Sequence, residues 1–512
     1  MTLALHTRTD TDVLLLEALD QRLLAAATCL APAVAAQVVA RGSIPVGWVS
    51  AELLPQLLVA CAVEPGPSHW LVITSVIGAF PEAPDVEGLA RDLALKSPEE
   101  VAHDLLSRAL AAPGLGRLDL PMEVVSDSVV VDVDYCARFD NNTGIQRVVR
   151  ETLPRWNADH QIVAVTILDQ RTAYRSLSPR ELARVFEFGK DVVIDLAEEA
   201  AYAPVLVVPW QTTVIWPEVV DPHACLRMAC LAQYSGNTIG LIAYDMIPIL
   251  STELRPFGEA GIFARFLSAV KHAHRVAGIS NSATTEFRGF AEMLSAQGLP
   301  GPDVAEVELA EDVGEHTAEA VGLYASTRPV VLLTGRREPH KNLRASVHAA
   351  QRLWAEGLDF EVVMLGGRGW DEEELTATVE RLQAEGRPLT TLGWVSDAEM
   401  WGRIRDASFV VFASLHEGYG LPISEALACG TPVITSNYGS QREVAAKGGC
   451  LLVDPRSDEE LTRAMRTLIT DPGRLTGLRA EIPDRPQRTW GDYAAELWNF
   501  LVEGSKAGHA VR

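Results

Sequence analysis

Cysteine and lysine are both scarce in this chain of 512 residues. Its seven cysteines are odd in number and scattered, and no two of them stand in a C-x-x-C pair. This pattern indicates neither a zinc site nor a disulfide framework, so we expect reduced thiols and a cytoplasmic protein. Only six of the 44 basic residues are lysines. A lysine that falls in a candidate site is therefore informative.

Positive charge as a whole is also in short supply. The chain carries 68 acidic residues against 44 basic ones, which gives a formal net charge of −24. This negative net charge argues against binding to a nucleic acid and against extended electrostatic binding to an anionic lipid surface. The hydrophobic fraction of 48% and the charged fraction of 22% are those of a globular protein. Its length is enough for two or three domains.

Long hydrophobic runs give no convincing membrane span. The one stretch that needs a check, 23–40, carries no charge, but it is mostly alanine and is interrupted by Pro32. The residues before it are acidic, which is wrong for a signal peptide. We therefore predict a buried pair of helices broken near Pro32, and membrane association that is at most peripheral.

The order of elements predicts a helical region followed by two α/β arrays. Ser97 and Glu100 form a capping box that opens a helix ending near Ala111. From Ser128 onward, short apolar strands alternate with helices, which implies parallel sheets with helical crossovers. A looser stretch at about 298–328 predicts the connection between the arrays. The predicted divisions are a helical accessory region at 1–122, a first parallel-sheet domain at 123–310, a second one at 311–489, and a crossover helix with a tail at 490–512.

The most informative segment runs from Glu417 to Glu425, two carboxylates with seven residues between them. A glycine-rich turn and the start of a helix follow the first carboxylate, at Gly418, Tyr419, Gly420 and Leu421. Backbone N–H groups in such a turn, together with a helix N-terminus, bind anions or closely approaching hydroxyls. Carboxylates accept hydrogen bonds from hydroxyl-rich ligands such as a sugar and a ribose. The segment therefore predicts a nucleotide-sugar site.

The surroundings of this segment support that interpretation. The apolar run 409–412 before it is typical of a buried parallel strand, and Pro432 begins another strand after the helix ends at Gly430. This order places the segment at the carboxyl edge of a parallel sheet, where open α/β sheets bind ligands. The alternative is a surface helix start with two solvated carboxylates, since acidic first turns are common.

Six further segments match the landmarks of one known family. They lie, in the family's order, at 143–148, 244–248, 334–342, 365–370, 392–397 and 451–455. Together with the Glu417–Glu425 segment, they resemble glycosyltransferase family 4, a group of retaining enzymes, over about residues 128 to 500. The resemblance implies an α/β protein of GT-B architecture. In that architecture two Rossmann-like parallel-sheet domains face a cleft, and here a mostly helical N-terminal region is added.

The resemblance implies a role for each carboxylate of the segment. Glu417 would contact the donor sugar, and Glu425 would accept both ribose hydroxyls. The turn between them would add backbone N–H groups and line the nucleotide, through Gly418, Tyr419, Gly420 and Leu421. Val395, which follows a predicted strand next to Trp394, would lie beside the base. The indole of Trp394 either stacks on the base or packs in the core.

The segment at 334–342 corresponds to the family's diphosphate site. Lys341 would neutralise a phosphate as a flexible point charge, and Arg336 or Arg337 would add a bidentate contact. Gly335 would line the same site. His340 stands where the family usually has an arginine. The alternative is that these cations form a solvated helix start.

Two features of the first domain face the predicted cleft. Gly144 opens a helix, and its turn would offer N–H groups to the donor phosphates or the acceptor, with Arg147 one turn further on. Asp245, at the end of a strand, either orients or deprotonates an acceptor hydroxyl or caps the local backbone. Asp132 and Asp134 form a D-x-D pair like the metal-binding one of other transferases. Because the second domain already supplies cations for a diphosphate, we expect a site that uses no metal and no cofactor.

These observations predict the retaining transfer of a sugar from a nucleotide-diphosphate donor, GDP-mannose or a UDP-sugar, to a hydroxyl acceptor in glycan or polysaccharide assembly. The expected partners are that donor and a carbohydrate or other hydroxyl acceptor. The N-terminal region would serve oligomerisation or acceptor recruitment. Two alternatives stay open: a catalytically silent GT-B partner subunit, and a sugar-nucleotide epimerase or hydrolase.

Overall fold

A computed structural model describes residues 10–41, 45–111, 114, 116–311, 326–370, 373–483 and 488–504. These residues form a helical region and two sheets. The helices are α1 (Asp10–Leu30), α2 (Pro32–Ala40), α3 (Trp48–Val59), α4 (Pro67–Ile77), α5 (Ala83–Leu95), α6 (Pro98–Ala111), α7 (Asp134–Arg138), α8 (Gly144–Asp159), α9 (Pro179–Phe186), α10 (Leu196–Ala201), α11 (Cys225–Tyr234), α12 (Ile247–Leu250), α13 (Glu259–Val270), α14 (Asn281–Met293), α15 (Leu343–Ala355), α16 (Glu373–Ala384), α17 (Asp397–Asp406), α18 (Leu421–Ala428), α19 (Gly439–Ala445), α20 (Asp458–Thr470), α21 (Pro472–Glu481) and α22 (Trp490–Trp498).

The strands are β1 (Met122–Val125), β2 (Val129–Asp132), β3 (Ile162–Ile167), β4 (Tyr174–Arg175), β5 (Leu206–Pro209), β6 (Thr213–Trp216), β7 (Thr238–Ala243), β8 (Arg275–Gly278), β9 (Asp303–Glu306), β10 (Val330–Thr334), β11 (Glu361–Leu365), β12 (Leu389–Leu392), β13 (Phe409–Phe412), β14 (Val433–Ser436) and β15 (Cys450–Val453).

The first six helices precede the sheets, as the sequence predicts. The uncharged stretch forms the end of α1 and the whole of α2, and the break falls at Ala31, with Pro32 at the first position of the second helix. The prediction that both helices are buried is wrong for α2, where only Ala35 and Val38 are buried and most of the other side chains are exposed. The predicted capping box is present, because Ser97 Oγ accepts from Glu100 N at 3.2 Å and Glu100 Oε2 accepts from Ser97 N at 2.9 Å. Of the helices described here, none is both long and apolar enough to cross a membrane.

The helical region and the first sheet share one hydrophobic core. The ring of Phe80 lies between Trp70 of α4 and Tyr174 of β4, with centroid distances of 5.1 and 5.3 Å. Gln21 of α1 exchanges two hydrogen bonds with the backbone of Met122, at 2.7 and 2.8 Å. The helices therefore cover one face of this sheet and are part of its packing.

A buried arginine ties α1 to this core. Arg22 is fully buried, and its guanidinium donates to the carbonyl oxygens of Ser75, Leu118 and Leu120, each at 2.7 Å. Burial lowers the pKa of Arg22 to about 10, so the side chain stays charged at neutral pH. A single side chain thus provides the donors for three backbone carbonyls.

Replacing Arg22 with methionine is expected to lower the free energy of unfolding by about 3 kcal/mol or more, because three carbonyls lose their donor. Urea denaturation measures this loss. Arg91→Met, on the exposed surface of α5, is the control and should change stability by less than about 0.5 kcal/mol. Equal stability of the two variants would contradict this role of Arg22.

The first sheet contains nine of the described strands, in the order β1-β5-β4-β3-β2-β6-β7-β8-β9. Neighbours pair in parallel except for β4, which runs antiparallel to β3 and β5. The strand pattern that the sequence predicts from Ser128 onward begins with β2. The prediction of a loose connection from about 298 is wrong at β9, because these four residues pair in parallel with β8 at the sheet edge. The part of that connection at 312–325 lies outside the described residues.

The second sheet contains six described strands, all parallel, in the order β12-β11-β10-β13-β14-β15. The strands that the sequence predicts at 409–412 and from Pro432 are β13 and β14. At the centre β10 lies beside β13, with Leu332 opposite Val410. Because the two strands are parallel, the loops that follow them open at the same edge of the sheet.

The last described α-helix, α22, contacts the first domain, as predicted. Trp156 Nε1 of α8 donates to the carbonyl oxygen of Ala494 at 2.9 Å. The ring of Trp498 stacks on that of His160, with centroids 3.7 Å apart. The chain thus returns to the first sheet after completing the second one. The division points at 122, 310 and 489 stay predictions.

Candidate functional site

The loops after the two central strands of the second sheet bring Lys341 and Glu417 together. Lys341 Nζ lies 2.7 Å from Glu417 Oε1, and the two side chains are 19% and 10% exposed. The ammonium also lies 5.4 Å from the centroid of the Phe412 ring, at the end of β13. Ser440 Oγ donates to the carbonyl oxygen of Glu417 at 2.8 Å and holds its backbone. A positive charge with one carboxylate partner therefore stands at the carboxyl edge of the sheet, where an anionic ligand would meet it.

The glycine-rich turn after Glu417 packs against the first domain. Ser280 Oγ donates to the carbonyl oxygen of Gly418 at 2.6 Å, across the cleft. Gly420 has a φ of +108° and forms the N-cap of α18, a conformation that side chains with a Cβ rarely adopt. Leu421 begins this helix, and its Cδ1 would lie 3.3 Å from a Cβ at Gly144. Tyr419 is buried, so what the turn can offer a ligand here is its backbone.

The contact at Gly418 has no space for a side chain. A Cβ there would lie 2.2 Å from the carbonyl oxygen of Tyr244, in the first domain. We expect Gly418→Ala to lower the free energy of unfolding by about 1–3 kcal/mol, because one of the two backbones must move. Urea denaturation tests this, with Gly289→Ala as the control, since a Cβ at Gly289 of α14 meets nothing within 4 Å. If the stability of Gly418→Ala is unchanged, the backbones of Gly418 and Tyr244 can move apart at no energetic cost, which would contradict this prediction.

Glu425, on the second turn of α18, forms an ion pair with the first domain. Arg147 Nη1 of α8 lies 2.6 Å from Glu425 Oε1, and the side chains are 17% and 14% exposed. Burial raises the pKa of Glu425, and the charge of Arg147 partly offsets that rise. The predicted site residue is thus present at the cleft, and its partner comes from the opposite domain.

Asp245 follows β7 and faces the Glu417 side of the cleft. Burial, with the nearby charges of Glu286 and Glu417, raises its pKa to about 6. Its Oδ1 also accepts a hydrogen bond from the backbone N of Ile247 at 3.0 Å. The carboxylate therefore caps the local backbone, as one of the two sequence interpretations predicts. Its role toward an acceptor hydroxyl stays a prediction.

His416 joins the two domains beside Asp245. Its Nε2 lies 2.7 Å from Glu286 Oε1 of α14, and its Nδ1 lies 2.8 Å from Ser251 Oγ. Burial alone lowers the pKa of His416, but the hydrogen bond with Glu286 and the charges of Asp245 and Glu417 raise it above its usual value. Protonation of this ring therefore strengthens a contact between the domains.

The cations predicted to hold a diphosphate differ in their surroundings. The side chain of Arg336 is 58% exposed and lies 3.4 Å from Glu338. Arg337 Nη1 lies 3.5 Å from Thr376 Oγ1 of α16. Burial, followed by the charge of Lys341, lowers the pKa of His340 to about 2, so its ring is neutral. Of this group, Lys341 is the cation that pairs with the glutamate of the turn.

Three residues that the sequence places near a nucleotide lie at the rim of the second sheet. Gly335 directly follows β10, and its backbone N donates to the carbonyl oxygen of Leu365 at 3.0 Å. Val395 is half-buried beside the core of the second sheet. Trp394 is 80% exposed, so its ring is not a core residue and presents a face to solvent.

The D-x-D pair belongs to a local ion-pair network. Asp134 accepts from Arg138 at 2.7 Å and from Arg171 at 2.9 Å. Asp132 is buried, and burial together with the charges of Asp134 and Glu218 raises its pKa well above the usual value. In the described parts of the chain, no three His, Cys, Asp or Glu side chains form a group that could hold a metal ion.

The structure adds His416 and Glu286, which the sequence interpretation did not select, and it gives Arg147, which the sequence places one turn after Gly144, a partner in the second domain. Arg147, His416 and Glu286 all take part in contacts between the domains. Arg255 does so as well, since it lies 3.1 Å from Glu338 of the second domain. The sequence offers one indication of these residues, which is that they stand close to predicted site residues. Arg147 stands three residues after Gly144, and His416 directly precedes Glu417.

Two parallel-sheet domains that face a cleft, with a glycine-rich turn and a helix N-terminus at the carboxyl edge of the second sheet, define a GT-B fold. Solved structures share it. Sucrose-phosphate synthase from Thermosynechococcus elongatus aligns with a TM-score of 0.50 and 14% identity over 75% of this chain and 98% of its own. Trehalose 6-phosphate synthase from Burkholderia multivorans aligns with a TM-score of 0.50 and 13% identity over 76% of this chain and 98% of its own. The predicted fold class is confirmed.

Sequence relatives give the family. The model of Glycosyl transferases group 1 matches residues 317–485. A GDP-mannose-dependent alpha-(1-6)-phosphatidylinositol dimannoside mannosyltransferase from Mycobacterium tuberculosis is 30% identical over 294 residues, which are 55% of this chain and 72% of the relative. The chain belongs to the group 1 glycosyl transferase family.

A second relative is longer than this chain. The serotype-specific mannosyltransferase WbdA from Escherichia coli is 26% identical over 337 residues, 62% of this chain. The match spans only 40% of the length of WbdA.

Proposed function

We propose that the protein is a retaining glycosyltransferase of the family 4 type. It transfers a sugar from a nucleotide-diphosphate sugar to a hydroxyl group of a carbohydrate or other acceptor. The observation that carries this proposal is the Lys341–Glu417 pair, 2.7 Å long, at the carboxyl edge of the second sheet. Asp245 of the first domain lies close enough to Glu417 for the charge of that glutamate to raise its pKa. Donor and acceptor groups would thus meet in one cleft.

In this mechanism the bond from the anomeric carbon to the diphosphate oxygen breaks, and a bond to the acceptor oxygen forms on the same face. Lys341 stabilises the charge that grows on the departing diphosphate, where fixed electrostatics have the largest effect. The acceptor proton passes to the leaving phosphate oxygen, so no protein nucleophile is required. Asp245, ionised above about pH 6, accepts a hydrogen bond from the acceptor hydroxyl and orients it.

The names of the relatives favour a mannosyl donor. One relative is named as GDP-mannose-dependent, and WbdA is named as a mannosyltransferase. We therefore place GDP-mannose first and a UDP-sugar second, with glycan or polysaccharide assembly as the setting. Lys341 and Arg336 supply positive charge near the diphosphate, so the proposal includes a site that works without a metal. We place the enzyme in the cytoplasm, with contact to a membrane that is at most peripheral.

Thermal stabilisation by GDP, UDP, dTDP and ADP, each with and without EDTA, tests the proposal. A ligand at one hundred times its Kd stabilises the folded state by about 2.7 kcal/mol. We expect one diphosphate, GDP first, to stabilise the protein, and EDTA to leave that stabilisation unchanged. Stabilisation by none of the four would favour the silent partner subunit instead. Loss of the effect in EDTA would contradict the metal-free site.

A further inference from the structure

The carboxylate of Glu425 has an unusual setting for a ribose-binding group, because its cation comes from the other domain. Arg147 Nη1 reaches Glu425 Oε1 at 2.6 Å, from the second turn of α8 to the second turn of α18. The guanidinium also lies 5.9 Å from the centroid of the Trp401 ring, on α17. Arg147 is thus held between two helices of the second domain.

The other groups that face Glu425 do not replace this cation. Asp397, at the start of α17, is a like charge that raises the pKa of Glu425. Cys429 lies just beyond the end of α18, and burial raises the pKa of its thiol to about 11, so it stays neutral. Within the described residues, Arg147 is the only cation that pairs with this carboxylate.

A buried carboxylate beside a like charge takes up a proton unless a cation compensates. Protonation would convert one of the oxygens of Glu425 into a hydroxyl donor. An ionised carboxylate instead offers about four acceptor positions on two oxygens. These are enough for Arg147 and both ribose hydroxyls together, so the ion pair need not break when a nucleotide binds.

We infer that Arg147 is a positioning residue for nucleotide recognition, which holds Glu425 ionised and oriented so that the ribose site is complete only when the two domains are together. This inference rests on the proposed function, since it takes Glu425 as the ribose acceptor. It goes beyond that function in making the first domain part of the nucleotide site. The nucleotide should accordingly bind more tightly to the closed arrangement of the domains than to an open one.

Calorimetric titration of Arg147→Gln tests this inference, with Arg147→Lys as the matched variant that keeps a charge. The probe is whichever of GDP, UDP, dTDP and ADP stabilises the wild-type protein most, titrated from about pH 5.5 to 8.5. Because the terminal phosphate of the probe itself titrates with a pKa of about 6, the affinity of each variant is compared with that of the wild-type protein at the same pH. In Arg147→Gln the affinity should be at least about tenfold weaker at the acidic end, and it should recover as rising pH ionises Glu425. Arg147→Lys should restore most of the affinity at every pH.

Glu425→Gln separates failure of this inference from failure of the proposed function. We expect it to bind weakly at every pH, and the double variant with Arg147→Gln to bind no more weakly than Glu425→Gln alone. If Glu425→Gln binds like the wild type, the ribose assignment itself fails. Suppose that Glu425→Gln binds the nucleoside diphosphate weakly. If Arg147→Gln then binds it as tightly as the wild type, or equally weakly at every pH, only the role of Arg147 fails. Thermal unfolding of each variant checks that it is folded.

Discussion

Replacing Glu417 with glutamine is expected to lower the rate of sugar transfer by about a thousandfold, because the substitution removes a fixed charge that would face the reacting sugar in the proposed function. Nucleoside diphosphate affinity should stay within about threefold of wild type, since Lys341 loses only its carboxylate partner and remains available to the diphosphate. Steady-state kinetics measures the first quantity and calorimetric titration measures the second.

The control for Glu417→Gln is Glu385→Gln, just beyond the end of α16, where the exposed carboxylate pairs with Arg381 one turn earlier. Both quantities should be unchanged in the control. An equal loss of transfer and of nucleotide affinity in Glu417→Gln would contradict the separation of roles, because it would place Glu417 on the nucleotide and not on the sugar.

Replacing Lys341 with methionine should lower the rate of sugar transfer nearly as much, and unlike Glu417→Gln it should also weaken nucleoside diphosphate binding. The carboxylate of Glu417 would then face the diphosphate with no cation between them. We expect the rate of transfer to fall by about a hundredfold to a thousandfold, and nucleoside diphosphate affinity to fall by at least about tenfold. Affinity for the matching nucleoside, which has no phosphate, should change little. Calorimetric titration of the diphosphate and the nucleoside against the same variant gives this comparison.

The control for Lys341→Met is Lys190→Met, in an exposed position of the first domain. It should leave both affinities at the wild-type value. If Lys341→Met lowers the affinity for the nucleoside as much as the affinity for the nucleoside diphosphate, the lysine maintains the structure of the site and does not contact the phosphates.

Much of the second domain follows from its sequence because its strands are short apolar runs that end at polar turns. Lys341 and Glu417 lie 76 residues apart, yet they meet because they follow the neighbouring strands β10 and β13. The sequence alone leaves open the exposure of Trp394 and the hydrogen bond from Ile247 N to Asp245, because each depends on which neighbours surround the side chain.

The contacts between domains were beyond the reach of the sequence. Arg147 pairs with Glu425 and His416 pairs with Glu286 only because the two sheets face one another, and no local spacing encodes that placement. The burial of Arg22 is a similar case, since its three carbonyl partners lie 53 to 98 residues away. The strand β9 was missed because its four residues, two of them acidic, show little of the apolar pattern of a strand.

The most direct test of the central claim is the configuration of the bond that the protein makes. The protein would be incubated with GDP-mannose or UDP-glucose carrying ¹³C at the anomeric carbon, together with a panel of methyl glycosides as acceptors, and followed by NMR. Both donors are α-linked, so retention predicts a new α-glycoside signal with one nucleoside diphosphate released per bond formed. A β-glycoside would contradict retention. Free sugar released at an enzymatic rate, without any glycoside, would contradict transfer and favour a hydrolase.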